Sequence, residues 1–150
     1  MKNLLTLFSL FILFSCVQDS PNIKQIGNMQ FFIDNKKNVE VVEIEPGLQY
    51  SVITQGDSSG SNPELNQIIT AHFHGTLTNG EVFWSSLDTE PLEIELSKLI
   101  IGCQKAISLM KKGDKWMVYI DPTMAYGEEG RPGIPSNSIL IFEIELLEVI

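Results

Sequence analysis

The sequence predicts an α+β fold, in which an antiparallel β-sheet of about five to six strands packs on one short α-helix. After residue 45, short runs rich in β-branched and aromatic residues alternate with clusters of glycine, asparagine and proline, which is typical of strands joined by turns. Asn79 and Gly80 predict a tight hairpin turn between two of these runs. A single segment has helical spacing instead, because Cys103, Ile107 and Met110 recur at i, i+4 and i+7.

The length and the charge of the chain narrow its function. With 150 residues, of which 43% are hydrophobic, it can form one modest domain with a buried core. A net charge of -9 argues against nucleic acid as a partner, because binding to a phosphate backbone relies on lysine and arginine. No glycine-rich phosphate loop opens a helix, so we expect neither a nucleotide nor another cofactor.

The N-terminal segment MKNLLTLFSLFILFSC predicts export. Lys2 precedes an apolar run that is too short to span a bilayer as a helix, so residues 1–15 fit a signal peptide. The ending LFSC resembles a bacterial lipobox, which implies that Cys16 becomes the acylated first residue and leaves Cys103 without a disulfide partner. An ordinary signal peptide that is cleaved elsewhere is the alternative. We expect a lipid-anchored protein of the bacterial cell envelope with its domain in the periplasm or outside the cell, and Val17 favours the outer membrane.

The residues between the signal peptide and the domain are expected to form an extension. Residues 16–45 comprise the lipidated cysteine, a tether and a short N-terminal extension, and residues 46–150 form the domain. The polar stretch 17–28, with one proline and one glycine, suits a tether. Residues 29–38 are predicted either as a short helix or as a continuation of the tether, with their apolar side chains packed on the domain.

Six segments of the domain qualify as strands. LEIEL alternates cleanly, with its leucines and isoleucine directed inward and two glutamates outward, as in a half-buried antiparallel strand. QIITAHFHGTL and EVFWSS flank the Asn–Gly turn and therefore form a hairpin. The helical segment ends with two lysines and a glycine stop. The six predicted strands are 48–54, 67–77, 81–86, 92–96, 115–121 and 139–149.

Two groups of residues could take part in chemistry, a histidine pair and a set of candidate nucleophiles, but both have a simpler structural interpretation. His72 and His74 would point to the same face of a strand, but the chain has no other histidine to complete a zinc site, so we expect a surface pair and no metal. Ser85, Ser86 and Cys103 are the candidate nucleophiles. None lies in a G-x-S-x-G elbow, and a triad would have to recruit a histidine from a distant strand, so a hydrolase is not favoured.

Four motifs in this order and spacing resemble the FKBP-type peptidyl-prolyl cis-trans isomerases: FHGTLTNGEVFWSS, ISLMKKGDKWMVYIDPTMAYGEEG, GIPSN and LIFEIELLEV. The similarity extends from about Pro46 to Ile150. It implies a curved antiparallel sheet wrapped around one short α-helix, with a proline-binding cleft between them. The implied reaction is rotation about Xaa-Pro bonds, and the implied partners are proline-containing unfolded or nascent polypeptides of the cell envelope.

The resemblance also assigns roles to residues of the cleft. It implies that the Tyr126 hydroxyl binds a carbonyl of the ligand and that the backbone N–H of Ile100 donates to another carbonyl. Phe83 and Phe142 would hold the proline ring, and these four positions are the expected catalytic residues. The expected substrate-binding residues are Phe73, Trp84, Leu92, Leu99, Cys103 and Ile134.

Three of these positions depart from the pattern of the family. Trp84 stands where an aspartate is usual, Phe73 where a tyrosine is common, and Cys103 where a tryptophan usually forms the floor. Losing the tyrosine and the aspartate together avoids an orphaned buried polar group. The changes imply reduced activity or an altered preference, and the alternative function is a non-catalytic peptide-binding or chaperone lipoprotein. A monomer is expected, because there is no space for a long helical dimerisation region.

Overall fold

The structure, a computed structural model, describes residues 21–150, and their side chains from residue 23 onward. It contains two α-helices, seven strands and two short 3-10 helices, Leu96–Lys98 and Pro122–Met124. The helices are α1 (Pro21–Asn35) and α2 (Ile101–Ile107). The strands are β1 (Val42–Glu45), β2 (Leu48–Thr54), β3 (Ile68–Leu77), β4 (Val82–Ser85), β5 (Leu92–Glu95), β6 (Lys115–Ile120) and β7 (Leu140–Val149).

All seven strands join one antiparallel sheet in the order β1-β2-β6-β7-β3-β4, with β5 also paired to β3. The ten-residue strand β3 is long enough to hold two short strands on one edge, β5 along its first half and β4 along its second. Ile69 pairs with Ile94 of β5, whereas Gly75 pairs with Trp84 of β4. The chain between β4 and β5 therefore leaves the sheet beside the middle of β3.

The core lies between one face of the sheet and α2. Strict alternation along β3, β6 and β7 places every second side chain on this face, which is the consequence of the two-residue period of a strand. Gly102 allows α2 to approach the sheet closely, because a Cβ at this position would lie 2.4 Å from Cγ2 of Ile120. The fully buried core side chains include Leu48, Ile69, Leu96, Ile107, Met110, Ile120, Leu140, Ile144 and Leu146.

Helix α1 packs on the opposite face of the sheet. Gln49 of β2 and Tyr119 of β6 are register partners on that face, and the ring of Phe31 lies 6.2 Å from the ring of Tyr119. Gln49 is buried, and its Nε2 donates to the carbonyl of Phe32 at 3.0 Å, while Nδ2 of Asn35 donates to its Oε1 at 3.0 Å. The buried amide is thus satisfied by the helix that covers it.

The sheet has one strand more than the six segments that alternation identified. The additional strand, β1, is a four-residue edge strand that pairs with β2 across a tight turn at Pro46 and Gly47. The helix predicted around Cys103 is present as α2, but it ends at Ile107, before the predicted last turn with its two lysines and glycine stop, and residues 108–109 form a turn instead. Residues 21–28, which were expected in the tether, are helical: proline is tolerated at the first position of α1, and Lys24 and Asn28 donate to the carbonyls of Ser136 and Asn137.

The predicted signal peptide at 1–15 and Cys16 lie outside the described residues. Within residues 21–150, no helix has the length and apolar character needed to cross a membrane.

Candidate functional site

A cavity of about 480 Å³ opens between α2, the core face of the sheet and the loop that follows β6. All the residues expected to bind or turn over a substrate line this one cavity, although they come from widely separated parts of the chain. They are Phe73, Phe83, Trp84, Leu92, Leu99, Ile100, Cys103, Tyr126, Ile134 and Phe142. Lys98, Arg131 and Pro132 also line it.

The last three residues escaped the sequence prediction. Arg131 and Pro132 stand between two of the motifs that carried the resemblance, and Lys98 directly precedes the LIIG segment. Their position beside predicted site residues was the available signal. Long charged side chains are more often solvated, so the sequence alone does not favour a place in a cavity for them.

Three phenylalanines form the aromatic walls. The rings of Phe83 and Phe142 are nearly perpendicular, at 89° and 5.4 Å between centroids, and Phe73 meets Phe142 at 82° and 6.3 Å. Both are the edge-to-face geometry that aromatic quadrupoles favour. Gly75 makes room for them, because a Cβ there would lie 2.5 Å from Cζ of Phe83 and 2.8 Å from Cε1 of Phe142.

Trp84 stands at the side of the cavity and does not close it. Its side chain is 41% exposed, and its ring lies 5.9 Å from the ring of Phe73. The two residues that replace the usual aspartate and tyrosine therefore pack against each other. An apolar contact takes the place of a polar pair, and neither residue leaves a buried polar atom without a partner.

The start of α2 presents a backbone donor to the cavity. Ile100 is the N-cap residue with extended dihedral angles, and its carbonyl accepts from the N–H of Gln104 at 3.0 Å. Nε2 of Gln104 also donates to the carbonyls of Leu99 and Ser97, at 2.6 and 3.0 Å, which fixes the segment before the helix. Within residues 21–150 the N–H of Ile100 has no protein acceptor. It is one of the unpaired donors that every helix start contains.

The loop after β6 holds Tyr126 and Arg131 at the rim. Arg131 and Ile134 exchange two backbone hydrogen bonds, of 2.9 and 2.8 Å, around Pro132 and Gly133. Proline followed by a glycine with a φ of 83° is the sequence of a type II turn. From this turn Nη1 of Arg131 donates to the hydroxyl oxygen of the half-buried Tyr126 at 2.7 Å. The stiff loop therefore sets the orientation of the tyrosine hydroxyl.

Cys103 forms the floor of the cavity. It is 2% exposed, and burial raises the pKa of its thiol to about 12. The thiol is therefore protonated at neutral pH and is a poor nucleophile, since the thiolate is the reactive form. Cys103 acts as a small apolar residue at this position.

The two histidines lie on the other face of β3, away from the cavity. Nδ1 of His72 is 3.1 Å from Oγ of Ser86, and Nδ1 of His74 is 3.0 Å from Oγ of Ser85. In the part of the chain that the structure describes, no group of three or more histidine, cysteine, aspartate or glutamate side chains is placed to hold a metal ion. The histidines pair with neighbouring serines across the hairpin.

Comparison with known proteins identifies the family. The model of the FKBP-type peptidyl-prolyl cis-trans isomerase family matches residues 59–147. The Mip peptidyl-prolyl cis-trans isomerase of Coxiella burnetii is 40% identical over 121 residues, which are 79% of this chain and 52% of that protein. The FkpA isomerase of Aeromonas hydrophila is 37% identical over 121 residues, which are 80% of this chain and 44% of that protein. The chain thus spans about half the length of these relatives.

Solved structures agree with the sequence relatives. The chain aligns with a peptidyl-prolyl cis-trans isomerase from Pseudomonas syringae pv. tomato at a TM-score of 0.80 and 30% identity, covering 87% of this chain and 97% of that one. FkpA from Escherichia coli aligns at a TM-score of 0.77 and 34% identity, covering 84% of this chain and 59% of that one. From the sheet, the cleft and these similarities together, the chain belongs to the FKBP-type peptidyl-prolyl cis-trans isomerase family.

Proposed function

We propose that the protein is a peptidyl-prolyl cis-trans isomerase that acts on Xaa-Pro bonds of secreted or envelope polypeptides and assists their folding. The observation that carries the proposal is the composition of the cavity, which combines perpendicular aromatic walls with two hydrogen-bond donors. The donors are the N–H of Ile100 and the hydroxyl of Tyr126. An apolar hollow with a few aimed polar groups is the general form of a small ligand site.

The reaction requires only that a rotated amide be stabilised, and no covalent bond is made or broken. Amide resonance sets the barrier at about 18–20 kcal/mol, and the planar amide carries more charge separation than the twisted one. Water stabilises the planar form, whereas an apolar cavity stabilises it less, so transfer into the cavity lowers the barrier. Each reduction of about 1.4 kcal/mol raises the rate tenfold.

Each part of the cavity takes a separate task in this proposal. Phe83 and Phe142 form adjoining walls against which the proline ring packs, so that rotation moves the preceding residue and leaves the ring in place. The N–H of Ile100 and the hydroxyl of Tyr126 bind carbonyl oxygens of the peptide on the two sides of the ring. The remaining wall that contacts the substrate is formed by Phe73, Trp84, Leu92, Leu99, Cys103 and Ile134.

Replacement of Tyr126 by phenylalanine tests this role. The change removes one hydrogen bond to the substrate and keeps the ring, and a net bond is worth about 0.5–1.5 kcal/mol. We expect Tyr126→Phe to lower kcat/KM for a proline peptide by up to about tenfold. The measurement is the relaxation of the cis and trans populations of an Xaa-Pro peptide with purified protein.

A second tyrosine provides the matched control for that experiment. Tyr119 packs against Phe31 on the other face of the sheet, so Tyr119→Phe loses the same hydroxyl outside the cavity and should keep the wild-type rate. Equal rates for wild type and Tyr126→Phe would show that the hydroxyl has no part in the reaction. Peptide binding without any acceleration by wild type would instead assign the protein to the non-catalytic binding or chaperone class.

We further propose that Cys16 carries the lipid that anchors the protein to the envelope membrane. The support is the LFSC ending of the apolar N-terminal run. We expect the full-length protein to incorporate a labelled fatty acid and to sediment with membranes, and Cys16→Ala to lose the label. Labelling of the Cys16→Ala protein would contradict acylation at this position. Fractionation of inner and outer membranes would then test the outer-membrane destination suggested by Val17.

A further inference from the structure

The charged residues that line the cavity are both cationic. They are Lys98 and Arg131, and no carboxylate is among the lining residues. This contrasts with the whole chain, in which 19 acidic residues outnumber 10 basic ones. The charged side chains on the lining of the cavity are therefore positive, although the protein as a whole is acidic.

Both cations lack a carboxylate partner in the structure. Among residues 21–150, five other lysines form ion pairs with acidic side chains, whereas Lys98 and Arg131 form none. The five paired lysines are Lys36, Lys37, Lys105, Lys112 and Lys115. A ligand carboxylate would meet these two cations without displacing an internal partner.

Each cation lies beside one of the two donors of the cavity. Lys98 comes two residues before Ile100, and Gln104 fixes the segment between them through the carbonyl of Leu99. Arg131 contacts Tyr126 directly, with Nη1 at 2.7 Å from the hydroxyl oxygen. A peptide whose carbonyls bind both donors would therefore meet Arg131 beside the tyrosine and Lys98 on the part of the lining that precedes Ile100.

Arg131 is placed to bind a carboxylate while it holds Tyr126. A guanidinium has five N–H donors in a planar fork, and the bond to the tyrosine uses a single one of them. The remaining fork matches the geometry of a carboxylate. The hydroxyl oxygen accepts from Arg131, so its own proton is left to donate to the substrate, and the first bond strengthens the second.

We propose that the cleft selects Xaa-Pro peptides in which an acidic residue neighbours the proline, with Lys98 and Arg131 as the specificity-determining residues. The selection rests on the proposed isomerase function of the same cavity. Exposed ion pairs are individually weak, so the expected preference for glutamate over glutamine is about fivefold in kcat/KM. Lysine at the same position should be the least favourable substrate, because its charge repels the cation on that side of the proline.

The test uses peptides that differ at one position beside the proline. Glutamate, glutamine and lysine are compared on the N-terminal side of the proline and, in a second set, on its C-terminal side. The measurements are made at about 0.15 M salt. At this ionic strength the screening length is about 8 Å, so distant charges contribute little to the measured rates. The ratio of the glutamate to the glutamine rate is the readout, because it cancels any general change in activity.

Single substitutions assign the preference to its residues. Arg131→Gln and Lys98→Gln are each expected to reduce the glutamate-to-glutamine ratio toward one. Each substitution should do so in the peptide set whose variable residue lies next to the removed charge. Lys112→Gln is the matched control, since it removes the same charge from an exposed lysine that does not line the cavity, and it should keep the wild-type ratio. An unchanged ratio in both cavity variants would overturn the assignment.

The outcomes separate this inference from the proposed function. Rapid isomerisation of all peptides at one rate would overturn the acidic preference and leave the isomerase function standing. If the protein accelerates the isomerisation of no peptide, the proposed function fails. The acidic preference is then tested by comparing the affinities of the glutamate and glutamine peptides. Fluorescence of Trp84, which lines the cavity and is half-exposed, can follow the titration of each peptide. Equal dissociation constants for the glutamate and glutamine peptides would overturn the preference in that case as well.

Discussion

Gly75→Ala is expected to lower kcat/KM for a proline peptide by about thirtyfold, which corresponds to about 2 kcal/mol of transition-state stabilisation. The added methyl group would lie 2.5 Å from Cζ of Phe83 and 2.8 Å from Cε1 of Phe142, so both rings must move. These rings are the walls that hold the proline ring in our proposal. Phe142 is buried in the core, which leaves it little space to shift.

The same substitution should also destabilise the fold. Overpacking of a well-packed core typically costs about 1–3 kcal/mol. The preference of strands for alanine over glycine is worth under about 1 kcal/mol and does not offset this loss. Urea unfolding measures the stability, and peptide relaxation measures the rate.

Gly27→Ala is the control, because a Cβ at that position of α1 meets nothing within 4 Å. This variant should unfold at an equal or higher urea concentration and keep its activity, since alanine favours the helix. A Gly75→Ala protein with wild-type rate and stability would show that the aromatic walls are free to rearrange.

Asp114→Ala is expected to reduce the free energy of unfolding by about 3 kcal/mol or more, because it removes two hydrogen bonds to a charged group, which contribute about 1.5–3 kcal/mol each. The Asp114 side chain is buried, and its two oxygens accept from the N–H groups of Gly56 and Lys111, at 2.7 and 2.6 Å. It thereby joins the loop after β2 to the turn between α2 and β6. Alanine would leave both N–H groups without their acceptor.

Two further variants separate the hydrogen bonds of Asp114 from its charge. Asp114→Asn keeps one acceptor oxygen and should be intermediate in stability. Asp88→Ala removes an equal charge from an exposed turn and should change the free energy of unfolding by less than about 0.5 kcal/mol. Chemical denaturation of all three proteins provides the measurement. If Asp88→Ala is as damaging as Asp114→Ala, net charge and not hydrogen bonding is responsible.

The parts of the fold that local patterns determine were predictable. Alternation along segments such as LEIEL and the helical spacing that begins at Cys103 depend on neighbouring residues alone, and the structure contains a strand and a helix there. The helix nevertheless ends at Ile107, so the predicted end at Gly113 was wrong. Strand β1 was missed although its sequence VEIE has the same length and alternation as LEIE of β5, which was predicted. Its stability comes from pairing with β2, which its own composition does not reveal.

The start of α1 was missed for a different reason. Pro21 and Gly27 are residues that usually interrupt helices, and they favoured a tether. Hydrogen bonds from Lys24 and Asn28 to the carbonyls of Ser136 and Asn137, with the packing of the later turns on the sheet, override that local preference. Tertiary contacts therefore decided the conformation of a segment with weak propensity.

The cleft was predictable only through the motifs that resemble the family. Phe73, Ile100, Tyr126 and Phe142 are far apart in the sequence, and periodicity alone would place them anywhere in the core. Their convergence on one cavity depends on the order of strands in the sheet. Arg131 was not predicted although it stands beside predicted site residues, because the direction of its side chain is set by a two-residue turn and by the tyrosine that it contacts.

The attachment of α1 has a mechanical consequence for the cleft. Nδ2 of Asn28 donates to the carbonyl of Asn137 at 3.1 Å, and Nζ of Lys24 donates to the carbonyl of Ser136. These carbonyls follow Ile134 in the loop that borders the cavity. A force applied to the chain ahead of α1 would therefore act on this loop before it acts on the strands. The way in which the protein is held at its N-terminal side can thus influence the width of the cavity opening.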